Sequence, residues 1–330
     1  MADRLLDLLV ERYASAGRTG GYVQLANVGS VDGVLEVAPG VRIRSASETE
    51  VEELRMGLAE YAHWPSLVRN PYETKLRREP WPGGPPNSHR EVWEPLASDQ
   101  HRYVVAEHPS GNAQVHLIAE ASTLTPNHLE LGFSVSLGSP TPIGCGMNFA
   151  GRALQEAQHD DGYFSHFTIA DGAELAEVVS KRAQHDDAVV PLGAAIQSYQ
   201  QLRAIPRDSG MRFLGYFAIL ESLLTHQPKP TDPTESLTRQ VRQKAMLLSR
   251  RFRHPLSYAD FETTKVDKVW TALYGVRSKL AHGAVPDFAD RDCRALRDFK
   301  TATRFVAGAT WRVMRQALEE PHLVADLKEV

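Results

Sequence analysis

The hydrophobic pattern changes period once, near Pro191, and no other feature limits the fold as much. After that point apolar residues recur three and four positions apart, as on one face of a helix. Before it, short alternating runs are interrupted by Gly and Pro. A chain of 330 residues is long enough for two cores. The expected organisation is an α+β domain over residues 1–190, regulatory or sensing in role, followed by an all-α helical bundle over residues 191–330.

Within the first region, residues 2–14 read as a short amphipathic helix, and Gly17 to Gly21 as a loop whose glycines match no phosphate-binding pattern. Strands are expected at 22–26, 34–37 and 41–44. Ser47 with Glu50 three residues later has capping-box spacing, so a helix should run from there to about Tyr61. Residues 64–98 are rich in Pro and Trp and read as an irregular insertion or surface loop. Trp64, Trp81 and Trp93 there either line a ligand or partner surface or pack the loop down. Strands at 103–107, 114–119 and 129–136 follow, then a turn-rich connection at 139–146, a helix at 149–158, a strand at 163–169 and a helix at 173–183. The sheet should be mainly antiparallel. In the second region, helices are expected at 194–203, at 211–226 behind a cap at Asp208 or Ser209, at 235–253, at 258–282 with an interruption near its middle, and at 290–318. Three prolines within 227–233 separate the second of these from the third.

Composition excludes several classes. No apolar run approaches the roughly 20 residues that span a bilayer, and the N-terminal segment mixes acids into its apolar positions, unlike a signal peptide. The default expectation is a cytoplasmic protein with no membrane partner. Cys145 and Cys293 offer neither a disulfide framework nor metal-ligand spacing. The net charge of −4 conceals an asymmetry. Residues 191–330 hold 22 Lys and Arg against 15 Asp and Glu, a net of +7, whereas residues 1–190 hold 15 against 26, a net of −11. A basic half beside an acidic one fits a nucleic-acid-binding module, and equally a bundle with solvated basic helices.

One segment of the basic half carries a chemical pattern: Leu273-Tyr274-Gly275-Val276-Arg277-Ser278-Lys279-Leu280-Ala281-His282-Gly283. Read as helix, Leu273, Val276 and Leu280 share one face, Ser278 and His282 share the opposite face, and Arg277 lies at the edge between them. Gly283 and Pro286 mark a helix stop, which puts His282 in the last turn, where unpaired carbonyls favour the imidazolium. A permanent cation that forks onto phosphate oxygens, beside a proton carrier active near neutral pH, suits phosphodiester chemistry. A solvated helix end with an incidental Arg and His is the competing account. Upstream, residues 211–224 form a strongly apolar helix with one acid inside it, Glu221.

The F-L-x-Y-x-A-I-L-E-S-L-L helix at 213–224 and the later L-Y-x-x-R-S-K-L-A-H-G segment together resemble the HEPN superfamily, in its Apea-like branch, over roughly residues 191–320. That resemblance implies a helical bundle, commonly a homodimer through this domain, and a metal-independent ribonuclease acting in phage defence or in a toxin-like system. It assigns Arg277 and His282 to the catalytic R-x4-H positions, Ser278 to the polar position after the Arg, and Glu221 to the acidic position on the neighbouring helix. Glu221 would orient Arg277 or His282, or pair with a nearby Arg to satisfy its own charge; these roles are compatible. A related subgroup carries a modifiable Tyr two residues after the His; here that position is Ala284. The expected partner is RNA, with no cofactor and no metal. A HEPN module that binds RNA, a nucleotide or a protein without cleaving is the alternative, and the N-terminal domain is expected to answer to a regulatory protein or ligand. Its acidic excess would restrain the basic half. His159-Asp160-Asp161 and His185-Asp186-Asp187 lack a fixed third ligand and read as solvated turns. No nucleophile elbow appears in the first region.

Overall fold

The computed structural model describes residues 21–61, 70–108, 112–137, 164–226, 237–261 and 264–329. The chain separates into two compact units, Met1–Ser180 and Lys181–Val330.

In the first unit the described elements are β1 (Gly21–Ala26), β2 (Ser30–Val31), β3 (Val34–Ala38), β4 (Val41–Ser45), α1 (Glu48–Tyr61), β5 (Thr74–Pro80), β6 (His89–Pro95), β7 (Val104–His108), α2 (Asn112–Thr123), β8 (Leu131–Leu137) and β9 (His166–Phe167). The helix α3 (Ile169–Gln184) follows. Five strands form one antiparallel sheet in the order β3-β4-β7-β1-β8. Alternation along β1 sends Val23 and Leu25 to one face, where they meet Val105 of β7 and Leu54 and Leu58 of α1. Tyr72 and Tyr103 complete this core, their rings stacked at 5.7 Å. The capping box at the start of α1 forms as its spacing requires. The Ser47 N–H donates to Glu50 Oε2 at 2.7 Å, and the Glu50 N–H donates to Ser47 Oγ at 3.4 Å.

Several elements differ from the sequence expectation: β2 was not expected, and of the strand expected at 163–169 only β9 is described, with α3 already begun at Ile169. The irregular insertion is in part an antiparallel hairpin of β5 and β6, closed by the Pro- and Gly-rich turn that carries the exposed Trp81. Its faces are polar, and cross-strand charges hold it: Arg77 pairs with Glu94 at 2.9 Å, and Arg78 with Glu91 at 3.3 Å. Without an apolar face the period-2 signal is weak. Residues 114–119, expected as a strand, lie instead in α2. Val115, Ile118, Ala121 and Ser122 are buried at helical spacing, and that longer pattern overrides the β-branched residues within it. Trp93 is half-buried in the hairpin. The expected helices at 2–14 and 149–158, the turn at 139–146, and Trp64, Cys145 and His159-Asp160-Asp161 lie outside the described residues, as does most of the loop from Gly17.

The second unit is helical: α4 (Leu192–Leu202), α5 (Gly210–Leu224), α6 (Leu237–Leu248), α7 (Val266–Ala281), α8 (Phe299–Glu319) and α9 (Pro321–Glu329). The apolar α5 occupies the centre and packs against the other five. It is capped by Ser209, whose Oγ accepts from the Met211 N–H. Gly215 lets α4 approach closely, since a Cβ there would lie 2.2 Å from Leu202 Cδ2. Phe217 of α5 meets Tyr274 of α7 edge to face at 4.9 Å, and Trp270 of α7 meets Phe305 of α8 at 5.8 Å. The expected helix at 235–253 ends at Leu248 within its described part, so Arg250, Arg251 and Arg253 follow it rather than extend it. The expected helix at 290–318 starts later, at Phe299, because the Asp298 side chain accepts from the Thr301 N–H and sets the N-cap there. Arg297, just before it, has φ 64°. The interruption expected inside 258–282 falls early: a single 3₁₀ turn at Ala259–Phe261 precedes α7. The short helix α9, opened by Pro321, was not anticipated.

Candidate functional site

The end of α7 places its residues as the spacing requires. Leu273 and Val276 are fully buried, Leu280 is half-buried, and Ser278 and His282 are exposed. Arg277 lies between the faces, its side chain 34% exposed. From the adjacent α5, Glu221 meets it: Arg277 Nη2 donates to Glu221 Oε2 at 3.1 Å, and the Glu221 side chain is 17% exposed. Glu221 Oε1 and Arg277 Nε are buried without a hydrogen-bond partner. Tyr274 flanks the pair; burial first, then the Glu221 charge, push its hydroxyl well above the ordinary tyrosine range.

The helix stops in a Schellman motif. Gly283 has φ 75°, its N–H donates to the Leu280 carbonyl at 3.1 Å, and the Ala284 N–H reaches the Lys279 carbonyl at 2.8 Å. The His282 N–H donates to the Ser278 carbonyl at 3.1 Å. The carbonyls expected to be unpaired near His282 are therefore largely taken by backbone donors. The His282 ring forms no hydrogen bond among the described residues, and no bond joins it to Arg277, Ser278 or Glu221. The structure thus brings Glu221 and Arg277 together, and sets Ser278 and His282 side by side on the solvent face.

Sequence reasoning missed two features around this segment. Lys279 Nζ donates to Asp290 Oδ2 at 3.2 Å and lies 3.7 Å from the buried Cys293 Sγ. The Asp290 carboxylate holds the Lys279 ammonium above the ordinary lysine range. The basic charge of this unit is also partly consumed internally: Arg242 pairs with Asp267 at 3.3 Å, Arg251 pairs with Glu320, and the buried Lys244 donates to the Lys328 carbonyl at 3.3 Å.

Elsewhere, His185 Nε2 lies 3.1 Å from the Val190 carbonyl and 3.6 Å from Asp187, which in turn binds Arg182 at 3.1 Å. That His-Asp-Asp run is a turn with both aspartates exposed, as expected, and with the His185 ring buried beneath it. No group of three or more His, Cys, Asp or Glu side chains that could hold a metal occurs among the described residues. In the first unit, His166 bridges Ser30 of β2 and Asp32 just after it: its Nδ1 is 2.8 Å from Ser30 Oγ and its Nε2 is 2.9 Å from Asp32 Oδ1. Asp32 also accepts from the Ile169 N–H at 3.2 Å. This trio joins β2 to β9 across 136 positions of sequence, a pairing no local pattern reveals. It reads as a strand fastening, since the Asp carboxylate also serves the start of α3. No helix among the described residues is long and apolar enough to cross a membrane. No family model, no curated protein and no solved structure matches the chain.

Proposed function

We propose that the C-terminal unit is a HEPN-type bundle that cleaves RNA without a metal ion, through attack of the substrate's own 2′-hydroxyl, in a phage-defence or toxin-like role in the cytoplasm. The observation that carries this reading is the Glu221–Arg277 ion pair, placed beside an exposed Ser278 and His282 at one helix end. The 2′-oxygen forms a bond to the adjacent phosphorus while the bond to the leaving 5′-oxygen breaks. The products are a 2′,3′-cyclic phosphate and a free 5′-hydroxyl. Arg277 binds the phosphate and offsets the charge that develops on it. His282 removes the 2′-hydroxyl proton or protonates the leaving oxygen. Ser278 donates to a phosphate oxygen or orients His282. Glu221 holds Arg277 in place; it is the sole acid on α5 and is already engaged by that cation.

Two proton transfers and one His per motif call for a second copy. A homodimer with this unit across a two-fold axis would supply it. The N-terminal unit, acidic in balance, is the regulatory part of the protein. A second reading rests on the absence of any bond between Arg277 and His282: a bundle that binds RNA and does not cleave it needs no such coupling.

The test uses one RNA and the same RNA with a single 2′-deoxy substitution at the mapped cut site, each in excess EDTA. Cleavage of the all-ribose substrate alone, leaving a cyclic phosphate, is expected. Cleavage of the deoxy substrate, or loss of activity in EDTA with rescue by magnesium, overturns the mechanism. RNA binding without cleavage selects the second reading.

A further inference from the structure

The N-terminal unit contains a cleft of about 770 Å³, within the range of roughly 300–1,000 Å³ typical of small-molecule sites. Its wall carries a cation that the rest of the unit does not explain. The guanidinium carbon of Arg102 lies 4.6 Å from the centre of the Phe164 ring, and the residue is half-buried. No carboxylate pairs with it among the described residues. The other arginine of the cleft, Arg55, has a counter-ion: it bonds Glu73, and that same Glu73 oxygen accepts from the Tyr103 hydroxyl at 2.7 Å. Burial, with nothing to offset it, pulls Arg102 below the ordinary arginine range. A desolvated cation without a counter-ion is unfavourable, and an aromatic face compensates only in part. Arg102 and Phe164 are both among the residues that line the cleft.

The acids of the lining narrow the ligand class. Glu48 and Asp99 are exposed lining residues, so a polyanion in the cleft faces like charges as well as Arg102. A molecule with a single anionic group, and with amine, amide or hydroxyl donors on its other end, satisfies both the cation and these carboxylates.

We propose that this cleft binds a small organic molecule with one anionic group, with Arg102 anchoring its carboxylate or phosphate and the lining carboxylates Glu48 and Asp99 receiving its donor groups. The proposal does not depend on RNA cleavage by the other unit, and RNA, a polyanion, is a poor fit to a lining that carries carboxylates.

The full chain is tested by calorimetric titration with two panels: the common L-amino acids as carboxylates, and the ribonucleoside 5′-monophosphates, with ATP added as a polyanion. A member of one panel is expected to bind, and the panel that responds names the oxyanion. Arg102→Ala should abolish that binding. Arg102→Lys keeps the charge and the stem but loses the fork, and should weaken binding about tenfold. The proposal is overturned if neither panel binds, if ATP binds more tightly than every member of the two panels, or if Arg102→Ala keeps wild-type affinity. Should Arg102→Ala fail to fold, wild-type affinity in Arg102→Lys overturns it in the same way.

Discussion

Each unit holds an arginine–glutamate pair at a helix, and the two pairs are built differently. In the N-terminal unit, Arg44 grips Glu50 with two parallel bonds, both 2.8 Å, and its Nε donates to Glu107 at 2.8 Å. Glu50 also accepts from the Ser47 N–H, so the carboxylate closes a helix cap and a strand edge at once. In the C-terminal unit, Arg277 and Glu221 share one bond of 3.1 Å, and each leaves a buried polar atom unpaired. A pair satisfied on every side fixes structure. A pair left incomplete at the border of an exposed helix end is held in place with capacity to spare, as a phosphate-binding arginine needs.

The largest effect that sharpens this contrast is on catalysis. His282→Ala should lower cleavage of a ribose substrate roughly 100-fold or more, the scale of one acid–base group, with the melting temperature unchanged, because the ring is exposed and unbonded. An equal fall in both measurements would make the helix end a structural feature. Arg277→Ala should also stop cleavage, but it is not the clean variant that helix spacing alone implies. It strands Glu221, so about 1–2 kcal/mol of stability should be lost with it, a figure reduced for the partial exposure of the pair. Adding Glu221→Gln should restore stability without restoring activity, as a double-mutant cycle in urea would show.

The closed pair should behave in the opposite way. Glu50→Gln should cost about 2–3 kcal/mol in denaturant unfolding and leave RNA cleavage per folded molecule unchanged, since it removes the charge that faces Arg44 and turns one of the two oxygens that accept from Arg44 and the Ser47 N–H into a donor. The pH dependence has a definite sign. Burial would raise the Glu50 carboxyl, but the bonds from Arg44 and Ser47 outweigh it and hold it below the ordinary 4.5. Its contribution is therefore present in full above 4.5 and is lost as the pH falls through the lower folded value. The stability gap between wild type and Glu50→Gln should be constant near neutral pH and close in acid. A gap that persisted below the folded value would mean that Glu50 acts through packing.

What the sequence disclosed follows the range of the forces involved. The Ser47–Glu50 cap, the faces of α7 and its stop at Gly283 depend on residues within a few positions of one another, and all were legible. So was the presence of Glu221 as the lone acid of an apolar helix, though not which partner it takes, because that depends on how α5 and α7 meet. The β5–β6 hairpin was hidden because charges rather than an apolar stripe hold it. The contacts of His166 with Ser30 and Asp32 were hidden by the 136 and 134 positions that separate them, and the lack of a carboxylate partner for Arg102 among the described residues because it is a property of three dimensions.

The smallest effect asks whether the incomplete pair is also positioned by its helix stop. Gly283 adopts φ 75°, where a side chain is strained, yet a Cβ placed there meets nothing within 4 Å. Gly283→Ala should therefore carry only the backbone penalty of a left-handed residue, about 1 kcal/mol. Gly283 follows His282 directly, and its N–H, with that of Ala284, fixes the Schellman turn. If the mutant chain relaxes by unwinding that turn, His282 shifts relative to Ser278 while the Glu221–Arg277 bond, one to two turns deeper, stays intact. Cleavage should then fall about tenfold while RNA binding through Arg277 is retained, since displacement of a proton carrier lowers turnover more than affinity. Stability reduced by that amount with unchanged turnover would show that the stop ends the helix and does nothing to aim the histidine.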